Sequence, residues 1–369
     1  MRTVFLLVLF LFPFVVTGRS EPSAPQVGDF ESIAARRDTA VVRRFERAYA
    51  ELAGMLDGHA PLSLKRAVFL VEWAASERAL DYDAFNAGID TAARAIERFM
   101  RANGLYAYRT GGNAALFEYF TRPYAMNGYR PFAYDFDHYR GDEDLSDVFV
   151  SKLMRTHLGQ CRSLPLYYKL LADEIGAEAY IAYAPFHSFI RHRDEADTCW
   201  LNFEPTNGSF PRDAFIIETC GITAEAVEKG TYMKPCGNRE IVLELLTDLA
   251  QFYQRRVCSL DPVVWRCLET VLRHRPDLLR AMIVLHNCWV IAFQEHRREL
   301  MRRRLPDDER IAVYVSRFWE LRARIDATGH IEPSDSARRA IYDTIEQERE
   351  RRRGLSDAPD CGHVFVETT

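Results

Sequence analysis

Gly159-Gln160-Cys161-Arg162-Ser163-Leu164-Pro165-Leu166-Tyr167 marks a change of character in this chain. One helical pattern ends at the glycine, and another begins just after Cys161. Leu164, Tyr167, Tyr168, Leu171 and Ile175 fall on one face of the second helix, which Gly176 stops. Residues 179–184, 187–192 and 198–203 then alternate or run apolar, as strands do. A helix followed by strands predicts an α+β unit. The helix aims its first amides and its dipole at the Cys161 thiol, an arrangement that stabilises a thiolate.

Other reactive side chains follow in order. His187 lies 26 residues beyond Cys161, at a strand start after Pro185-Phe186. Asn202, Glu204 and Asn207 come on the next strand and turn. A histidine there can take the proton of Cys161 and return it to a leaving group. A third group must hold the imidazole in the right tautomer, and Glu204 fills that role. Asn202, on the same strand face as Glu204, is the substitute orienting residue.

These residues carry a family resemblance. Gly159-Gln160-Cys161 resembles the Gly-Gln-Cys nucleophile motif of the transglutaminase-like superfamily. Pro185-Phe186-His187-Ser188-Phe189-Ile190 is similar to its histidine strand, and Phe203-Glu204-Pro205-Thr206 to its Asp-Pro-Thr element. Cys161 to Tyr167 further resembles a SirB1-like bacterial branch, in which such a domain precedes tetratricopeptide-like helices. The likeness is strong over residues 140–221 and weak outside them. It implies a papain-like fold, with helices on a small antiparallel sheet, and a Cys161–His187–Glu204 triad. Gln160, with the Cys161 amide, would be the oxyanion donor pair. The implied enzyme acts on an amide or peptide bond through a thioester, as a hydrolase or an acyl transferase. Two departures stand out. Arg162 replaces the aromatic of protein-crosslinking enzymes, so crosslinking is not expected, and Glu204 replaces Asp. A binding or scaffold protein that kept the fold without the rate is the alternative.

The rest of the chain frames this core. It has 369 residues, 48% hydrophobic, which is enough for a well-buried interior. Its 48 basic and 53 acidic side chains give a net charge of −5, so it lacks the basic excess of a dedicated nucleic-acid binder. Arg2, the apolar run Val4 to Val16 and Val16-Thr17-Gly18 read as a secretory signal peptide over residues 1–18, cut after Gly18 or after Ser20. The product is therefore expected to be exported: periplasmic, cell-surface or secreted. No later apolar run is long enough to span a bilayer.

Residues 19–40 read as a linker and 41–140 as a helical N-terminal part of the catalytic domain. Ser63 is a predicted helix cap, and Asn103-Gly104 a predicted helix end. Asp144 to His157 is predicted as one helix. Residues 141–235 form the transglutaminase-like core. Residues 236–353 read as all-α helical hairpins of tetratricopeptide-like type, broken at Pro262, Pro276, Pro306 and Pro333. Residues 354–369 are a tail. The expected substrate is a protein or peptide, and the C-terminal helices are the expected place for a protein partner.

Eight cysteines are present without a CxxC pair, so a zinc ribbon is not expected. Cys220 with Cys236, and Cys258 with Cys267, are candidate disulfides by proximity, and buried free thiols are the alternative. Asp135, Asp137, Asp142, Glu143, Asp144 and Asp147 form an acidic cluster without the glycine and spacing of a calcium loop, so neither metal nor cofactor is expected. His192 is expected at the surface. Asn207-Gly208-Ser209 is either a glycosylation sequon or a turn.

Overall fold

Caps and glycines divide the N-terminal half into helices. The computed structural model describes residues 39–139, 144–257 and 260–356. The expected signal peptide 1–18, nearly all of the expected 19–40 linker, Asp142, Glu143, Cys258 and the expected tail from residue 357 with Cys361 lie outside them. Helix α1 spans Thr39–Leu56, α2 Leu64–Ala75, α3 Tyr82–Ala102 and α4 Gly111–Thr121. Ser63 caps α2 by accepting the Arg66 amide at 3.2 Å, and Asp81 caps α3 by accepting the Ala84 amide at 2.8 Å. After α3, Gly104 takes the left-handed conformation at φ 67°.

A short parallel ladder pairs β1 (Ala133–Tyr134) with β2 (Leu158–Gly159). The helix expected over 144–157 is in fact broken. A 3-10 turn covers Leu145–Val148, Phe149 is extended, and α5 runs over Val150–Thr156. Glu72 of α2 explains the break. Its carboxylate accepts the Val150 amide at 2.6 Å and the Ser151 amide at 3.0 Å, capping α5 from a distant part of the chain. Burial pushes the Glu72 carboxyl above its usual range.

Helix α6 (Ser163–Ile175) packs on an antiparallel sheet of order β3–β4–β5. The strands are Tyr180–Ala184, His187–Arg193 and Trp200–Phe203. The ladder closes at Ala184 opposite His187, so Pro185-Phe186 is a two-residue turn. Central strand β4 is buried on both faces from His187 to His192. His192, expected at the surface, is therefore interior, and burial lowers its pKa. Asn207 accepts the Ser209 amide at 3.0 Å, so the sequon forms a turn after β5.

Helices α7 (Asp213–Cys220), α8 (Ala224–Glu228), α9 (Asn238–Val257), α10 (Pro262–His274), α11 (Leu279–Arg302), α12 (Glu309–Asp326) and α13 (Asp335–Ser356) complete the described chain. In α9, buried positions such as Leu243, Leu246, Leu249 and Phe252 go all round the helix, because α1, α2, α10 and α11 pack on it. One apolar cluster runs from Val41 in α1 to Ile325 in α12. The N-terminal helices, the sheet and the C-terminal helices thus share an interior. Among the described residues the architecture is α+β and mostly helical, with 13 α-helices, a three-stranded antiparallel sheet and a two-stranded parallel one. No described helix is long and apolar enough to cross a membrane.

The Cys220–Cys236 pairing is not present: both are buried free thiols, each pushed up to about 12 by burial. Cys267 is likewise a buried free thiol.

Candidate active site

The turn that carries Cys161 is tightly built. A Cβ on Gly159 would lie 2.7 Å from Ser163 Oγ and 2.8 Å from Leu153 Cδ1, so only glycine lets β2 approach α6 this closely. The Gln160 amide donates to Ser163 Oγ at 3.0 Å, and the Leu164 amide donates to the Gln160 carbonyl at 3.0 Å. Cys161 therefore sits on the first turn leading into α6. The Ser188 hydroxyl of β4 donates to the Cys161 carbonyl, tying helix start to strand.

The β3–β4 turn brings the histidine to the sulfur. Pro185 has the fixed φ that suits the first turn position, and Phe186 holds the left-handed second position at φ 61°. For a residue with a Cβ this costs about 1–3 kcal/mol, a kind of strain that clusters at functional sites. Cys161 Sγ lies 4.0 Å from the Phe186 carbonyl oxygen, one residue before His187.

His187 is fully buried at its side chain. Its Nε2 is paired with Glu204 Oε2, and Cys161 is near enough to act on the ring electrostatically. With Nε2 on the carboxylate, Nδ1 is the nitrogen left to face sulfur. Burial alone would lower the pKa of His187, but the Glu204 charge and the interactions with Cys161 and Glu204 outweigh it and push it up to about 10. The raised value favours the imidazolium form of the ring at neutral pH, beside Glu204 and Cys161. Glu204 is itself fixed: its Oε1 accepts the Thr206 amide at 3.1 Å and the Thr206 hydroxyl at 2.7 Å. The extra methylene of Glu over Asp is accommodated by this turn.

The structure brings Cys161, His187 and Glu204 together and leaves two other candidates elsewhere. Asn202 stands opposite Arg191 in the β4–β5 ladder, away from the His187 end of β4. Its Nδ2 donates to the Pro211 carbonyl at 3.0 Å and to Asp213 Oδ1 at 2.6 Å, so it does not orient His187. The Gln160 side chain donates to the His138 carbonyl rather than lying open at the thiol. Its buried Oε1 has no hydrogen-bond partner among the described residues.

A cavity of about 160 Å³ opens beside the triad, lined by Cys161, Phe186, His187, Leu245 and Arg280 among others. Arg162, also on its wall, points away from the sulfur. Its Nε and Nη2 lie 2.8 and 2.7 Å from Asp248 Oδ2, Nη1 donates to the Val148 carbonyl at 2.8 Å, and its guanidinium covers Phe252. Arg280 of α11 takes the other Asp248 oxygen. Arg162 is thus a strut between α6 and α9.

Cys161 also belongs to a small buried cluster with Tyr134, Phe136, Tyr139 and Ile345. Ile345 comes from α13, which is fastened by the Tyr139 hydroxyl to Glu346 at 3.0 Å and by Arg349 to Asp137 at 3.2 Å. Cys161 is 1% exposed as a result of this cover and of β4. Within the acidic cluster, Asp135, His138 and Asp147 bring ligand atoms within 4.8 Å of one another. Asp135 is already paired with the Lys152 ammonium, which stands where a cation would. Ser188 and Thr206 lie within the quoted motifs, whereas Tyr134 and the α13 cover have no local sequence signature. No protein-family model, curated protein or solved structure matches the chain.

Proposed function

We propose that the chain is an exported cysteine enzyme of the transglutaminase-like superfamily that acts on an amide or peptide bond through a thioester. The observation that carries this reading is the buried His187 ring, held between the Cys161 thiol and the Glu204 carboxylate. An imidazolium beside the sulfur favours the thiolate, the nucleophilic form. The Cys161 thiolate attacks the carbonyl carbon, His187 protonates the departing amine, and Glu204 keeps the ring oriented. Water or an amine then releases the acyl group, giving hydrolysis or acyl transfer. A helix N-terminus carrying Cys161 against an antiparallel sheet carrying His187 and Glu204 supports a papain-like arrangement. The substrate in this reading is a protein or peptide, and the C-terminal helices contact a protein partner.

The 1% exposure of Cys161 under α13 favours the second reading, a binding protein of this fold with a silent triad. Trapping the acyl-enzyme separates the two. Incubation with p-nitrophenyl acetate followed by acid quench is expected to leave an acetyl group on the Cys161 peptide, and His187→Ala to abolish it. Wild-type protein with Cys161 unacetylated would refute the enzymatic reading.

A further inference from the structure

We propose that the Tyr134 hydroxyl is the side-chain donor to the oxyanion formed when Cys161 attacks a carbonyl. This rests on the thioester chemistry proposed above. Three observations converge on it. First, β1 pairs Tyr134 directly with Gly159, two residues before the nucleophile, so the ladder itself sets the tyrosine beside the α6 start. Second, the Tyr134 ring is 3% exposed and lies in the same buried cluster as Cys161, edge-on to Phe136 at 4.9 Å between centroids. Third, its hydroxyl is buried and meets no hydrogen-bond partner among the described residues. A phenylalanine would fill that space without stranding a donor, and a stranded buried donor is unfavourable unless something arrives to accept from it. Gln160, the other side-chain candidate, already donates to His138.

The chemistry fits a neutral donor. The thiolate forms a C–S bond, and the carbonyl π pair moves onto oxygen. Tyr134 O–H donates a hydrogen bond to that oxygen and keeps its proton. Burial, reinforced by negative charge on Cys161, holds the phenol well above its ordinary range, so it remains a donor at every working pH. Collapse restores C=O and expels the leaving group, here p-nitrophenolate, leaving a thioester. With the thiolate charge consumed, His187 gives its proton to solvent. Water then adds to the thioester through a second oxyanion in the same place, passing one proton to His187 and the other to solvent, and acetate leaves with the thiolate and the imidazolium restored. Tyr134 does not move a proton in either step.

The test compares two reactions of the same sulfur in the full chain. Acylation by p-nitrophenyl acetate passes through an oxyanion, whereas alkylation by iodoacetamide displaces iodide at a saturated carbon and does not. Tyr134→Phe removes only the hydroxyl. It is expected to slow Cys161-dependent p-nitrophenolate release about 10²- to 10³-fold, after subtracting the Cys161→Ala background. Alkylation of Cys161, followed on its own peptide, is expected to keep the wild-type rate and pH profile. Unchanged acylation would overturn the proposal. An equal fall in both rates would overturn it too, since it would mean that Tyr134 only supports the sulfur's position. Failure of the underlying reading looks different: wild-type protein would alkylate at Cys161 yet release no p-nitrophenolate above the Cys161→Ala background.

Discussion

Glu204→Gln is expected to slow Cys161-dependent acylation about 10⁴-fold, as loss of the orienting carboxylate does in other triads. The local bonds explain why so small a change has so large an effect. Glu204 Oε1 accepts two hydrogen bonds from Thr206, so the amide oxygen of a glutamine would stay at that corner. Its NH₂ group would then face His187 Nε2 and donate to it. The ring would keep its proton on Nδ1, the nitrogen nearest sulfur, and could no longer accept one there. The charge that raises His187 would also be gone.

That charge has a signature in stability. The folded His187 is raised from 6.5 to about 10, so its contribution is full below pH 6.5 and is lost as pH rises towards 10. Wild-type protein is therefore expected to lose thermal stability across that window faster than Glu204→Gln does. Parallel melting-temperature curves for the two proteins would count against the buried ion pair, and near-normal acylation by Glu204→Gln would count against the triad.

Asp248→Ala is expected to be the most destabilising single substitution near the site, by about 3–5 kcal/mol. Asp248 is 5% exposed and lies between two guanidinium groups, Arg162 on one oxygen and Arg280 on the other. Its removal takes the ion-pair partner from Arg162 and leaves Arg280 with Glu244 alone, in the interior between α6, α9 and α11. Burial alone would raise the Asp248 carboxyl, but Arg162 and Arg280 more than reverse this and hold it below 3.8. Its contribution is present above about pH 4 and is lost as the pH falls through the depressed value. Urea unfolding at pH 7 reads the loss directly. A change under about 1 kcal/mol would mean that water reaches the two arginines.

The fold around the nucleophile is readable because its determinants are local. Gly159 before the thiol, the apolar face from Leu164 to Ile175 and the Pro185-Phe186 turn each specify their own element. The order Cys161, His187, Glu204 then suffices to assemble the candidate triad once the sheet register is set. What escapes the sequence depends on partners far along the chain. Glu72 caps α5 across 78 residues and splits a helix that looks continuous. His192 has the spacing of a surface residue but lies on a strand covered on both sides. Asn202 shares a strand face with Glu204, yet the Asp213 carboxylate engages it first. Ile345 covers the site from α13, half of whose residues are charged and give no hint of a buried role.

The central claim is that His187 and Cys161 act as a pair. It is tested most directly by the rate of iodoacetamide alkylation at the Cys161 peptide, from pH 4 to pH 9, in wild type and His187→Ala. Resolving peptides matters, because Cys199 is an exposed free thiol that also reacts. Wild-type Cys161 is expected to react at pH 6 at least about tenfold faster than the variant, because only the wild type sets an imidazole raised by Glu204 beside the sulfur. Superimposable profiles, both rising only near the ordinary thiol value of about 8.5, would contradict the account.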